Sequence, residues 1–213
     1  GEAREDLEII NDLGKALGLD WNYNHASEVF NEMSKVMPSL NNISWERVDK
    51  EDSVTYPCDD KNLPGNEIVF SQNFPTSSGL AKIVPTDLIS PHELPDQNFP
   101  FVLTTGRLLE HWHTGAMTRR SNTLDNIEPE AIVNMNRLDM KNLKLEPGNK
   151  VQVKTRRGSI ELSVRQDTEL PKGMIFIPFC FSEAAANKLT NPQLDPFGKI
   201  PEFKYCAANI EAC

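Results

Sequence analysis

The sequence predicts a mainly β protein with helices, in which a closed barrel is preceded by a short helical segment. From residue 101 onward, short apolar runs alternate with turn residues about every ten positions, which is typical of small barrels. Before residue 40, apolar residues instead recur at steps of three and four, which indicates helices. We therefore predict a helical segment and connection over residues 1–64 and the barrel over residues 65–213.

Two amphipathic helices and an irregular connection make up the first segment. One helix is predicted over Glu5–Leu17, where Gly18 follows as a stop signal, and a second over residues 27–37, which Pro38 ends. Residues 41–66 are weakly patterned and contain several turn residues. A connection of this length is expected to run over a surface.

Strand-like patterns begin after this connection. Two short apolar runs, Ile68–Phe70 and Leu80–Val84, are predicted as strands. Residues 85–100 contain four prolines, so we expect an extended linker without helix. A buried strand is then predicted to begin at Phe101.

The remaining chain supplies the other barrel strands and one short helix. Asn136 is a candidate N-cap for a helix over Arg137–Leu143. Arg156, Arg157 and Gly158 are predicted to join two alternating strands as a tight hairpin whose arginines are solvated. The predicted strands after Phe101 are Ala131–Met135, Lys150–Thr155, Ser159–Val164, Met174–Phe179 and Phe203–Ile210.

Composition excludes several classes of function. The formal net charge of −9 argues against nucleic acid as a partner, because phosphate neutralisation needs a basic surface. No apolar window approaches the length of a membrane-spanning helix, so we expect no membrane segment and a cytoplasmic location. The four cysteines are far apart and form no C-x-x-C motif, so we expect reduced thiols and no metal site here.

One stretch, residues 101–121, concentrates groups that suit an anionic ligand. An apolar run ends at Gly106, where the missing Cβ lets backbone amides approach a ligand. Arg107 can bind a phosphate through two parallel hydrogen bonds. His111 and His113 would share one face of a strand, which suits zinc, but neutral imidazoles that bind an organic ligand fit better. From the spacing alone, the alternative that Gly106 is an ordinary turn glycine and Arg107 a surface arginine stays open.

These residues belong to motifs that resemble one family. The strings TGRLLEHWHTGAMTRRS (105–121) and AAANKLTNP (184–192) are specific, and PGNKVQVKTRRG (147–158) is more widespread. They resemble the C-terminal molybdopterin-dinucleotide-binding domain of the catalytic α subunit of molybdenum or tungsten formate dehydrogenases. The resemblance covers the whole chain and implies a double-psi β-barrel. Because Gly1 is not preceded by Met, we expect a piece of a longer polypeptide.

The resemblance implies a role in cofactor binding and no catalytic residue in this chain. The cofactor would be bis-molybdopterin guanine dinucleotide with Mo or W, bound jointly with domains that are missing here. Leu108 and Leu109 would act mostly through their backbone, Asn187 would contact the pterin, and Lys204 would supply positive charge. The cofactor-binding residues implied are Arg107, Leu108, Leu109, His111, His113, Thr114, Phe179, Asn187, Phe203 and Lys204.

The resemblance also implies partners, and two alternatives stay open. The parent enzyme would oxidise formate to CO2, with its 4Fe-4S cluster and reacting residues in earlier domains, so the isolated chain is expected to be inactive. Its partners would be the remaining domains of the α subunit and electron-transfer subunits. One alternative is the same domain of a nitrate or sulfoxide reductase. The other is a stand-alone double-psi barrel that binds proteins.

Overall fold

The chain folds into two compact units. The computed structural model describes all residues, Gly1–Cys213. The first unit comprises Gly1–Thr86 and the second comprises Asp87–Cys213. The predicted boundary after residue 64 lies inside the first unit, and as a domain boundary it stays a prediction. None of the helices is long and apolar enough to cross a membrane.

The first unit is built from short helices. Helix α1 spans Asp6–Ala16 and α2 spans Ala26–Val36, which confirms both predicted helices. A 3-10 turn at Pro38–Leu40 precedes α3, Trp45–Glu51, which the sequence analysis missed. The signal for α3 was Ser44, whose hydroxyl accepts a hydrogen bond from the Arg47 N–H at 3.1 Å as an N-cap.

The long connection of the first unit is organised around one guanidinium group. Arg47 donates to the carbonyl oxygens of Asn42 at 3.1 Å and Leu63 at 2.6 Å. It also lies 3.3 Å from the buried Sγ of Cys58. A connection without regular structure must satisfy its backbone polar groups in some other way, and a single side chain on α3 does much of this here.

The two strands predicted before residue 85 are wrong. Ile68–Phe70 lies in bends and turns, Leu80–Val84 is irregular, and Phe70 has a φ of +58°. Neither segment has a neighbouring strand, so its backbone groups cannot join a hydrogen-bonded ladder. Residues 85–100 contain no helix, as predicted.

The second unit is a closed six-stranded barrel, which confirms the predicted fold class. The strands are β1 Phe101–Gly106, β2 Ile132–Met135, β3 Lys150–Lys154, β4 Ser159–Gln166, β5 Met174–Pro178 and β6 Cys206–Ala212. Around the barrel the strand order is β1–β5–β2–β4–β3–β6. Strands β1 and β5 pair in parallel, as do β2 and β4, and the other four pairings are antiparallel.

Alternating side chains of these strands fill the barrel. Leu103, Val151 and Ile175 are fully buried and belong to one apolar cluster. Each of their strands is short, so the burial of every second residue supplies most of its stability. Strand β6 begins three residues later than predicted because Phe203 and Lys204 form a turn.

The two ends of the barrel differ. One end is closed by α5, Arg137–Asn142, whose predicted cap is confirmed: the Asn136 side chain accepts a hydrogen bond from Leu138 N–H at 2.8 Å. Buried Asp139 accepts a hydrogen bond from Gly173 N–H at 2.6 Å, which ties α5 to the turn before β5. The opposite end carries the connections 107–131, 155–158 and 179–205, and we call it the loop end.

We expect Leu103→Ala to destabilise the barrel by about 2–5 kcal/mol, because it leaves a cavity in a fully buried layer. Urea unfolding monitored by circular dichroism measures the change. The control is Leu138→Ala, on a side chain of α5 that is 57% exposed. Equal effects of the two substitutions would contradict this description of the core.

Candidate functional site

All ten predicted site residues lie at the loop end. Six belong to the connection after β1, and the other four belong to the connection between β5 and β6. Both connections start from the carboxyl ends of strands that pair in parallel, with Gly106 opposite Pro178. Parallel pairing therefore brings two segments, whose first residues 107 and 179 are 72 positions apart in sequence, to the same edge of the barrel.

Gly106 has a structural role in addition to the predicted one. Phe179 N–H donates to the Gly106 carbonyl at 3.1 Å, which extends the β1–β5 ladder by one bond. A Cβ at Gly106 would lie 2.5 Å from the ring of Phe176. The glycine therefore makes room for an aromatic ring of β5, and its approach to a ligand stays a prediction.

Lys204 is held at the loop end by a carbonyl group and two aromatic rings. Its ammonium group donates to the carbonyl oxygen of Thr105, and the Thr105 hydroxyl donates to the Phe203 carbonyl at 3.0 Å. The Nζ atom lies 5.4 Å from the ring centroid of Phe203 and 5.8 Å from that of Phe179. These are attractive cation–π distances, so the structure brings three predicted site residues together around one positive charge.

His113 joins this group through Phe179. Its ring centroid lies 6.5 Å from that of Phe179 and 4.5 Å from that of Trp112. Its φ of +48° places it in the left-handed region, where a turn can present the side chain towards the loop end. The next residue, Thr114, is exposed.

His111 is separated from that group. Residues 111–113 form a bend and a turn, so the two histidines do not share a strand face. The His111 side chain is 1% exposed, and its Nε2 lies 2.8 Å from the Glu128 carbonyl oxygen. As a direct ligand contact His111 stays a prediction, and the burial of its ring speaks against it. The structure holds no cluster of three or more metal-ligating side chains.

The other predicted residues are accessible but make no contact with Lys204. Arg107, Leu109 and Asn187 are exposed, and Leu108 is half-buried. Asn187 lies in the 3-10 turn Ala186–Lys188, and its carbonyl accepts the Thr190 hydroxyl at 3.3 Å. The loop end therefore presents these side chains to solvent.

Several loop-end arginines have acidic partners, and others do not. Arg119 pairs with Asp125 at 2.5 Å and with Glu183 at 3.0 Å, so its charge is largely compensated. Arg107, Arg120 and Lys204 form no ion pair. At least three cations of the loop end therefore have no carboxylate partner, in a chain whose net charge is −9.

The hairpin arginines are ion-paired, which corrects the expectation that they are solvated. Arg157 donates to Glu93 at 2.8 Å and to the Leu189 carbonyl at 2.8 Å, and Arg156 pairs with Glu93 and Asp96. Burial alone would raise the pKa of Glu93, but hydrogen bonds from Arg157, the Ala207 N–H and Arg156 outweigh it and lower that pKa. Sequence analysis missed Glu93, since no local pattern links residues over 60 positions apart.

Comparison with known proteins identifies the family. The family model described as "Molydopterin dinucleotide binding domain" matches residues 101–207, which run from the start of β1 into β6. The chain belongs to this family. The match contains all three loop-end connections and therefore every predicted site residue.

Relatives match along almost the whole chain. The F420-dependent formate dehydrogenase subunit alpha of Methanocaldococcus jannaschii is 44% identical over 99% of this chain and 32% of its own length. The assimilatory nitrate reductase catalytic subunit of Bacillus subtilis is 31% identical over 99% of this chain and 31% of its own length. The chain thus spans about a third of the length of these relatives.

A solved structure confirms the architecture. Acetylene hydratase from Pelobacter acetylenicus superposes with a TM-score of 0.70, covering 100% of this chain and 33% of its own. The two sequences are 20% identical, so this likeness concerns the fold alone.

We expect the stability of the barrel to fall as the pH rises from about 9 to about 11. Burial raises the pKa of the Cys180 thiol from its ordinary value of 9.0 to about 11. Between these values the unfolded chain loses a proton that the folded chain keeps, so the free energy of unfolding decreases with pH. Urea midpoints measured from pH 8 to 11 for the wild type and Cys180→Ala test this. The two curves should converge at high pH, and a constant offset between them would refute the assignment.

Proposed function

We propose that the loop end binds a molybdopterin guanine dinucleotide cofactor, as one wall of the catalytic α subunit of a formate dehydrogenase. The observation that carries the proposal is Lys204, whose charge is held between Phe203 and Phe179 without a carboxylate partner. A pyrophosphate group needs such a charge, and a pterin needs aromatic and polar neighbours. The 44% identity to a formate dehydrogenase subunit alpha supports formate as the substrate of the parent enzyme.

The residues present fit this cofactor. Arg107 and Lys204 offer cations without ion-pair partners, and Asn187 offers both a donor and an acceptor to a heterocycle edge. We propose that these three, with Leu108, Leu109, His113, Thr114, Phe179 and Phe203, face the cofactor. His111 is assigned a supporting place behind them because its ring is buried.

The proposed role of this chain is to bind and orient the cofactor. The metal–pterin group, with Mo or W, supplies the redox chemistry when it is bound. Lys204 and Arg107 neutralise the pyrophosphate, while Phe179 and His113 line the pterin side of the pocket. No residue of this chain is assigned a bond-making role, and the reacting groups and the 4Fe-4S cluster are placed in other parts of the parent subunit.

The proposal also assigns partners to the exposed apolar side chains of the loop end. Leu109, Trp112 and Met117 are large apolar side chains on the loop after β1, and each is more than half exposed. An exposed apolar group of this kind marks a surface that another body covers. We propose that the remaining domains of the α subunit cover it, in a cytoplasmic enzyme that also contains electron-transfer subunits.

Two alternatives receive less support. A nitrate reductase would place the same domain beside a different reaction, and the relative of that class has the lower identity, 31%. A stand-alone protein-binding barrel would not need uncompensated cations beside aromatic rings at the loop end. Dinucleotide binding separates this second alternative from the proposal.

We expect the purified chain to bind molybdopterin guanine dinucleotide, extracted anaerobically from a formate dehydrogenase, in a calorimetric titration. We expect the affinity to be weak, because a ligand that is normally enclosed between domains stays partly exposed to solvent when only one of these domains is present. Lys204→Ala and Arg107→Ala should each lower it roughly tenfold, the effect of losing one charge-assisted hydrogen bond. The control Lys154→Ala removes a cation that pairs with Glu211.

Equal affinities of the wild type, Lys204→Ala and Arg107→Ala would contradict the proposed site. Failure of the wild type to bind both the extracted dinucleotide and guanosine diphosphate would favour the protein-binding alternative. A further expectation is that the isolated chain, given formate, metal and an electron acceptor, shows no turnover above background.

A further inference from the structure

The loop 107–121 is anchored by a histidine that faces away from the solvent. His111 is 1% exposed, and its Nε2 lies 2.8 Å from the Glu128 carbonyl oxygen. Because a carbonyl oxygen can only accept, Nε2 carries the proton and Nδ1 is a bare acceptor in the neutral ring. Nδ1 is buried and has no hydrogen-bond partner. The orientation of the ring therefore depends on its single bond to Glu128.

The side chain of Glu128 is held by two hydrogen bonds from Arg165, whose own side chain is 43% exposed. Glu128 follows α4, Asn122–Ile127, and lies just before β2. Its two carboxylate oxygens accept hydrogen bonds from Arg165 at 2.9 and 2.7 Å, and its side chain is 14% exposed. A paired contact of this kind fixes the plane of the carboxylate as well as its distance.

Arg165 connects Glu128 to the wall of the barrel. It belongs to β4, and its backbone is paired in parallel with Asn134 of β2. A continuous set of contacts therefore runs from the strand ladder through Arg165 and Glu128 to His111. Arg165 holds the Glu128 carboxylate and His111 binds the Glu128 main-chain carbonyl, so the two contacts are linked through Glu128 itself. Loss of the Arg165 contact therefore removes a restraint from the residue whose carbonyl orients the loop.

The opposite side of the His111 ring is bounded by Phe181. The two rings meet edge to face, with their centroids 5.9 Å apart. The Arg119 guanidinium lies 4.7 Å from the centroid of Phe181 and is held by Asp125 and Glu183. This contact limits the movement of the ring, but it offers no hydrogen bond to replace the one from Glu128.

We propose that Glu128 and Arg165 are positioning residues, which hold the loop 107–121 in the shape that presents Arg107 and His113 at the loop end. They act through His111. The purpose of the loop, to bind a dinucleotide, rests on the proposed function. Its attachment through Glu128 and Arg165 rests only on the contacts described above.

The test compares amide hydrogen exchange, by mass spectrometry, in the wild-type chain and in Arg165→Met. This substitution keeps the aliphatic stem and removes both hydrogen bonds to Glu128. We expect exchange in residues 107–121 to become roughly tenfold faster, the consequence of losing a charge-assisted pair, while β1 and β5 keep their protection. The control Lys154→Met breaks the ion pair with Glu211 in the same sheet and should leave the loop unchanged.

A second pair of variants separates positioning from general packing. The side-chain N–H of glutamine can take the place of His111 Nε2–H, so His111→Gln should keep much of the loop protection. His111→Phe retains an aromatic ring without the donor and should lose the protection. Unchanged loop exchange in Arg165→Met, or an equal rise in every strand, would overturn the proposal.

The same samples distinguish the two proposals. If the wild type binds the extracted dinucleotide while Arg165→Met has unchanged loop exchange and unchanged affinity, the positioning proposal fails alone. If the wild type does not bind while Arg165→Met still loosens the loop, the proposed function fails and the positioning role stands. Faster loop exchange together with weaker binding in Arg165→Met would support both.

Discussion

The parallel pairing of β1 and β5 is the constraint on which the candidate site depends. Parallel strands that lie side by side end at the same edge, so the segments after Gly106 and Pro178 leave the barrel together. The last ladder bond, from Phe179 N–H to the Gly106 carbonyl, joins these segments where they diverge. The ring of Phe176 above Gly106 leaves no space for a side chain there. Backbone pairing and one aromatic contact thus determine where the two segments with the predicted site residues begin.

Charge at the loop end is divided between structural and free cations. Arg119, Arg156 and Arg157 hold separate connections together through acidic partners, and they contribute little net potential. Arg107, Arg120 and Lys204 have no such partners, so their charges are not neutralised by a neighbouring carboxylate. Local charge of this kind can attract an anion to a protein whose net charge is negative. The arrangement explains how an acidic chain can serve a ligand that contains a pyrophosphate.

Short-range patterns predicted those parts of the structure that local physics determines. The Asn136 cap, the hairpin at Arg156–Gly158 and the strand from Phe101 all depend on neighbouring residues, and all three are confirmed. Ile68–Phe70 has the composition of a strand but no partner strand. Composition alone does not show whether a partner strand is available. The motifs predict the location of the site, and the residues that contact a ligand stay a prediction. The burial of His111 and the pairing of Glu93 with the hairpin depend on long-range contacts, which spacing alone does not encode.

The loop end is proposed to be the ligand-binding surface of this barrel. Amide chemical shifts of the isotope-labelled chain, recorded during a titration with the extracted dinucleotide, test this most directly. We predict that the changes concentrate at residues 106–109, 113–115, 179, 187 and 203–204. Changes centred on the opposite end, at residues 136–149 and 167–173, or no changes at all, would contradict it.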